Sequence, residues 1–309
     1  MKETFVDKRF GRDAIAMIET INEILKDYAA QGYDLSLRQL YYQLVSRNIV
    51  PNTERSYKNV GSIVSDARLA GLIDWDMIKD RGREMIRNPH WDDPADFLKN
   101  VAAQYRFDLW ADQPRYVEVM VEKQALEGVL MPVCRRLDVP FTANKGYSSS
   151  SAMYEASKRY LARAEEGKEL YVIYLGDHDP SGIDMTRDIE ERLDLFLKTS
   201  LDRCDEIGEN EPSIITVKRI ALNMDQIKKL KPPENPAKIT DSRAAQYIIR
   251  YGRSSWELDA IEPAHLAKLV MKAVTDLLDF ALFAKNENKQ EKGRKTLLKF
   301  AKTLKEQNG

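Results

Sequence analysis

The chain has 309 residues, 43% hydrophobic and 31% charged, enough for a sizeable core divided between two domains. A net charge of −1 excludes a global basic field, so a nucleic-acid partner would need a local basic face. The cysteines, Cys134 and Cys204, are too far apart for a disulfide framework or a zinc site, and no apolar run approaches the ~18 residues of a membrane span. The charged N-terminus lacks a signal-peptide pattern, so the expectation is a soluble cytoplasmic protein.

Ile15, Ile18, Ile21, Ile24, Leu25 and Tyr28 recur at helical spacing and predict a helix over 12–30, closed by Gly32. Ser36-Leu37-Arg38-Gln39 has the form of a capping box and opens a second helix running to about Arg47. Asn52-Thr53 opens a third, to Ala70, with Gly71 at its end. Three helices with a short turn before the last resemble a helix-turn-helix unit, and Leu72–Ile78 reads as a strand pair or wing ahead of the basic run Lys79-Asp80-Arg81-Gly82-Arg83. Arg55, Lys58 and Arg68 are then available to phosphates, although a helical packing module with solvated charges has the same pattern.

Arg38 and Tyr42 are four residues apart and share a helix face. A cation beside a phenol favours the phenolate, which otherwise forms near pKa ~10, and it can hold a phosphate beside the oxygen. Tyr41 lies one residue round the helix, toward Leu37 and Leu44, and stands as the rival to Tyr42; an amphipathic aromatic with its hydroxyl in water is the alternative for Tyr42. A helix over about Pro94–Tyr105 leads to a break at Gln113-Pro114, which divides the chain into 1–112, mainly helical, and 113–309.

From Arg115 the pattern becomes α/β: strand Tyr116–Val121, helix Gln124–Leu137, strand Val139–Ala143, helix Ser151–Glu166, strand Leu170–Leu175, helix Ile183–Lys198. That alternation implies a parallel sheet with right-handed crossovers. Glu122 follows the first strand and Gly176-Asp177-His178-Asp179-Pro180-Ser181-Gly182 follows the third, so Glu122, Asp177 and Asp179 fall at carboxyl ends, where open sheets bind ligands. Repulsion between such acids asks for a cation, and hard oxygens favour Mg²⁺ or Mn²⁺ together with a phosphate ester. Taken singly, the Asp-x-Asp segment is also an acidic surface turn, and Glu122 also a helix N-terminal acid. The Lys145-Gly146-Tyr147 loop with its serines lies on the same face, and alternation turns His178 away from it. A further strand over Ser213–Leu222, a helix from Asp241 to Tyr251, another after Glu262-Pro263, and a lysine-rich helix from Lys285 with one apolar stripe complete the chain.

Glu122 with Asp177-His178-Asp179-Pro180-Ser181-Gly182 resembles the Toprim fold of topoisomerases, primases and related nucleases. Adding Lys145-Gly146-Tyr147, Glu257-Leu258-Asp259-Ala260 and Arg38-Gln39-Leu40-Tyr41-Tyr42, the chain from about Ser36 to Ala260 resembles the A subunit of type IIB topoisomerases (topoisomerase VI), and especially its short stand-alone Mini-A-type bacterial and phage relatives. The resemblance implies a winged-helix domain over 1–112 with Tyr42 as nucleophile and Arg38 beside the scissile phosphate. It implies a Toprim domain over 113–309 in which Glu122, Asp177 and Asp179 hold Mg²⁺ (or Mn²⁺). It further implies double-stranded DNA as substrate, a homodimer, a nucleoid-associated location and a separate ATPase subunit for strand passage, since the chain has no phosphate-binding glycine loop. Gly146-Tyr147-Ser148-Ser149 departs from the Gly-Tyr-Pro-Asp that family members often carry.

Overall fold

The computed structural model describes residues 2–79, 88–144, 146–202 and 212–308. Asp80, Arg81, Gly82 and Arg83 of the basic run, Lys145 and Cys204 lie outside these residues. The first helix, α1 (Arg12–Ala30), buries Ile18, Ile21, Ile24, Leu25 and Tyr28, while Ile15 faces solvent. Helix α2 (Leu37–Ser46) starts at a complete capping box: the Ser36 hydroxyl accepts the Gln39 N–H, and Gln39 Oε1 accepts the Ser36 N–H at 2.9 Å. Helix α3 (Glu54–Leu69), capped by Thr53, adds Val60, Val64 and Ala67 to the same core.

The expected wing over 72–78 does not form. Among the described residues this stretch holds one 3-10 turn, Trp75–Met77, and a single bridge from Ile78 to Leu35. The Asp74 carboxylate accepts the Asp76 N–H at 2.9 Å and bends the chain before a strand can extend. Arg68, expected to reach phosphates, instead donates to the Trp75 and Ile78 carbonyls and lies over the Trp75 ring.

Four parallel strands form the sheet: β1 (Arg115–Val121), β2 (Phe141–Ala143), β3 (Glu169–Leu175) and β4 (Ile215–Ala221), in the order β2-β1-β3-β4. Helices α5 (Glu127–Leu137) and α10 (Pro263–Thr275) cover one face, with α6 (Ser150–Glu165) and α7 (Pro180–Ser200) on the other. Strand β1 therefore buries both faces: Val117, Val119 and Val121 join the α5/α10 core, and Tyr116 and Met120 the α6/α7 core. Glu118, on the latter side, is fully buried, and its charge is met by a two-pronged Arg159 contact at 2.9 Å and by the Tyr116 hydroxyl at 2.7 Å.

Helix α4 (Pro94–Gln104) docks on the last helix, which runs 280–308, rather than on the first three. The contact is close: a Cβ on Gly293 would lie 2.4 Å from the Tyr105 ring. Between β4 and α10 come helices α8 (Met224–Leu230) and α9 (Ala244–Tyr251), and a short antiparallel pair joins 235–236 to 254–255. No described helix is long and apolar enough to cross a membrane. The helical module meets the sheet where α2 packs against the 3-10 turn Leu258–Ala260, with Ala260 inside the helical core.

Removing one partner of a buried ion pair leaves a desolvated charge behind. Because Arg159 is 45% exposed and only Glu118 is buried, Arg159→Ala is expected to cost about 2 kcal/mol of unfolding free energy, the scale for hydrogen bonds lost by a buried charged group. Urea denaturation measures this directly; a variant as stable as the parent would mean the Arg159 contact contributes nothing to stability.

Candidate functional site

Val121 of β1 pairs with Leu175 of β3, so Glu122 and Gly176 leave the sheet side by side. The join is a hydrogen bond: Asp177 N–H donates to Glu122 Oε2 at 2.8 Å. Glycine is required on both sides of this contact. A Cβ at Gly176 would sit 2.9 Å from Glu122 Oε2, and one at Gly182 2.3 Å from the Asp177 carbonyl oxygen. Asp179 caps α7, its Oδ1 accepting the Gly182 N–H at 2.6 Å and the Ser181 hydroxyl at 3.1 Å. Arg219 on β4 reaches under the turn and donates to the carbonyls of Gly176, Asp177 and Gly182 at 2.9, 2.6 and 2.8 Å. The three expected acids, Glu122, Asp177 and Asp179, therefore stand buried on one rim.

Two further carboxylates join them. The Leu258 N–H donates to Asp177 Oδ1 at 2.7 Å, drawing in Glu257 and Asp259 on either side. Lys123 Nζ lies 2.8 Å from Asp177 Oδ2 and 3.2 Å from Asp259 Oδ1, and also contacts Glu257. From α2, Arg38 reaches Asp259 at 2.8 Å and Glu257 at 3.1 Å. A cleft of about 330 Å³ opens over this cluster, with Asn144, Gly146 and Lys238 at its edge.

Of the five carboxylates (Glu122, Asp177, Asp179, Glu257 and Asp259), Asp177, Glu257 and Asp259 touch Lys123 or Arg38, while Arg219 is turned to backbone carbonyls, so the acids outnumber the cations in contact with them. The protonation balance carries the same imbalance. Burial holds Asp177 well above the usual carboxylate range, with Glu122 adding to the rise against Lys123. Burial also raises Glu122, aided by Asp179 and opposed by the Asp177 N–H. Burial opposes a charged Lys123, but Asp177, Asp259 and Glu257 outweigh it and keep the ammonium charged above its ordinary value. Burial would raise Glu257 too; Lys123 and Arg38 reverse the sign and lower it.

Tyr41 and Tyr42 have different roles. The Tyr41 hydroxyl accepts the Thr53 N–H at 2.8 Å and donates into the 51–53 turn, which makes it a strut between α2 and α3. The Tyr42 hydroxyl makes no hydrogen bond among the described residues, and its ring, with Arg38, lines a second cleft of about 300 Å³. Arg38 lies 5.7 Å from the centre of that ring. The expected stabilisation of a Tyr42 phenolate is not met. Burial first, then Glu257 and Asp259, push the phenol up to about 12, against the opposing pull of Arg38 and Lys123. Arg38 is spent on the two carboxylates.

His178 is turned away, as alternation predicts. Its backbone pairs with Trp256, and its ring is buried against Tyr247, Tyr251 and Trp256. The Tyr247 hydroxyl donates to the His178 carbonyl at 2.8 Å, which assigns the proton on Nδ1 to the 2.7 Å bond between ring and phenol. Tyr147 donates to Asp184 at 2.8 Å and stacks under Arg243, away from the acids.

Lys123, Arg219, Glu257 and Asp259 were not among the expected site residues. Glu257-x-Asp259 repeats the spacing of Asp177-x-Asp179, a signal that was present in the sequence; Arg219 gives none, since its role depends on β4 lying next to β3. Among the described residues no three His, Cys, Asp or Glu side chains are drawn into closed metal-ligand geometry, and the Lys123 ammonium occupies the middle of the cluster. Comparison with protein-family models gives no match, and comparison with curated proteins gives none.

Burial depresses the His178 ring to about 4. Between pH ~6.5 and ~4 the unfolded chain binds a proton that the native ring refuses, so this group's contribution to stability is present above pH ~6.5 and is lost as the pH falls. Over that window the loss is expected to be of order 2 kcal/mol. His178→Gln should be less stable near neutrality but flatter across the same range; urea titrations from pH 8 to 4.5 test this, and equal slopes would remove His178 as the cause.

Proposed function

We propose that this rim is the centre of a Mg²⁺-dependent DNA strand-breaking enzyme of the topoisomerase VI A-subunit kind. In this reading the parallel-sheet domain is of Toprim type, and the first three helices form a helix-turn-helix-like DNA-binding unit without a wing over 72–78. The observation that carries it is the convergence of Glu122, Asp177 and Asp179, 55 residues apart along the chain, on one edge to which α2 is tied by Arg38.

The donor set fits a divalent cation. Glu122 Oε1 and Asp179 Oδ2 are not engaged by any hydrogen bond among the described residues, and they are hard oxygen donors of the kind such an ion takes. Glu122, Asp177 and Asp179 would hold it. When bound, it supplies Lewis-acid neutralisation of charge on the phosphoryl oxygens.

The remaining work falls to the chain. Arg38 lines both the acid cleft and the tyrosine cleft, where a guanidinium fork suits a backbone phosphate. A phosphate accepted by Arg38 takes the guanidinium's charge from Glu257 and Asp259 and places phosphorus near the Tyr42 hydroxyl. Tyr42 Oη then attacks in line: an O–P bond to the phenol forms, the bond from phosphorus to the 3′ oxygen breaks, the phenolic proton passes to water, and the leaving oxygen takes a proton to become a 3′-hydroxyl. The product is a 5′-phosphotyrosyl ester. Because the phosphoester count is conserved, the reverse attack rejoins the strand. Double-stranded DNA is the substrate of this reading, a second copy serves the second strand, and directed strand passage would need a separate ATPase subunit.

One observation favours a second reading. A phenol held near 12 is a poor nucleophile at neutral pH, which suits a Toprim nuclease in which water attacks and Tyr42 is structural. Supercoiled plasmid incubated with Mg²⁺ and quenched with detergent separates the two. On the first reading protein stays attached to the DNA, and Tyr42→Phe abolishes both adduct and cleavage while Tyr41→Phe keeps them. Cleavage that survives Tyr42→Phe selects the nuclease, and intact binding without cleavage in Mg²⁺ or Mn²⁺ removes both.

The acids divide by their structural duties. Asp179→Asn keeps a capping oxygen and is expected to lose metal-dependent cleavage at near-parental stability, whereas Asp179→Ala should also lose about 1 kcal/mol with the cap. Activity assays paired with thermal melts read both effects; an active Asp179→Asn would take Asp179 out of the ligand set.

A further inference from the structure

We propose that Lys123 is a resident cation that occupies the acid cluster until a divalent ion enters, and that it then withdraws from Asp177 onto Glu257 and Asp259. This rests on the metal-dependent reading of the same rim. Lys123 Nζ contacts one oxygen of each of three carboxylates, at 2.8 Å from Asp177 and 3.2 Å from Asp259 with Glu257 as the third, and its side chain is only 15% exposed. An ammonium ringed by carboxylate oxygens sits as a hard cation sits. Asp177 has one oxygen to offer outward: Oδ1 is taken by the Leu258 N–H, and Oδ2 is the oxygen Lys123 holds. A divalent ion drawing on Asp177 must therefore displace or share with the ammonium.

The retreat is already built. Glu257 and Asp259 already touch Nζ, and both are shared with Arg38. A phosphate that engages Arg38 frees charge on these two carboxylates, so substrate arrival and ammonium withdrawal favour each other. Lys123, lining the cleft, is then placed to meet a phosphate oxygen from the other side. Without an ion, the ammonium keeps mutually repelling carboxylates together; with one, the same side chain becomes a positioning residue for DNA.

The test uses the full chain and the metal alone. Mn²⁺ binding is measured by calorimetry on the parent, Lys123→Gln and Lys123→Arg, with circular dichroism to verify folding. Loss of the competing cation is expected to tighten Mn²⁺ binding in Lys123→Gln on the order of tenfold, and Lys123→Arg, which keeps the charge, should not tighten it. Affinity in folded Lys123→Gln that is unchanged or weaker overturns the proposal while leaving the metal site standing. Absence of Mn²⁺ binding in all three folded proteins overturns the metal reading, and this proposal with it. If Lys123→Gln does not fold, the parent protein decides. With ¹⁵N-lysine labelling and Lys123→Arg for assignment, the Lys123 ammonium should give a protected NMR signal that shifts or vanishes on Mg²⁺ addition, and a signal unmoved at saturating Mg²⁺ overturns the proposal.

Discussion

The site depends on one short contact, the Asp177 N–H donated to Glu122 Oε2. It fixes the end of β1 to the turn after β3 and sets the spacing of the acids. Every other constraint at the rim follows from keeping it. Gly176 and Gly182 cannot bear a Cβ, Asp179 must cap α7, and Arg219 must hold the carbonyls of the turn from beneath. Carboxylates gathered this closely in a buried place repel one another and lose hydration, so the arrangement persists only with cations between them. Among the described residues Lys123 and Arg38 supply only part of that charge.

That shortage also governs the tyrosine. Glu257 and Asp259 act on both halves of the molecule, pairing with Lys123 of the sheet domain and Arg38 of α2. Burial first, then the same two acids, raise the Tyr42 phenol against the pull of Arg38 and Lys123. The free protein therefore holds the Tyr42 phenol protonated at neutral pH. Tyr41, bonded to the Thr53 backbone, lies outside this circuit and gives α2 and α3 their fixed spacing.

Much of this was legible in the residues. The capping box at Ser36, the periodicity of α1, and the alternation of strands and helices after Arg115 are local signals, and the elements they predict formed within a few residues of the expected bounds. The convergence of Glu122 with Asp177 and Asp179 was legible because parallel strands place their carboxyl ends on one side. Less was legible where the outcome depends on neighbours distant in sequence. The wing at 72–78 gave way to a turn held by Asp74, and Arg68 was claimed by two carbonyls. Strand β1 is central and parallel and so buries both faces, and Glu118 is accommodated because α6 brings Arg159 over it. The pairing of Arg38 with Asp259 joins residues 221 positions apart, and neither residue predicts it alone.

That separation has a consequence for how the protein is made. During synthesis α2 leaves the ribosome long before residues 257–259, and α4 long before the helix at 280–308 on which it docks. A nascent chain can fold its first three helices from local contacts, but the rim is completed only once residues 257–259 have been made. Until residues 257–259 are made, Arg38 lacks the two carboxylates it holds in the finished fold. The acid rim is thus completed by contacts across the chain and is not present in a copy that stops short of residue 257.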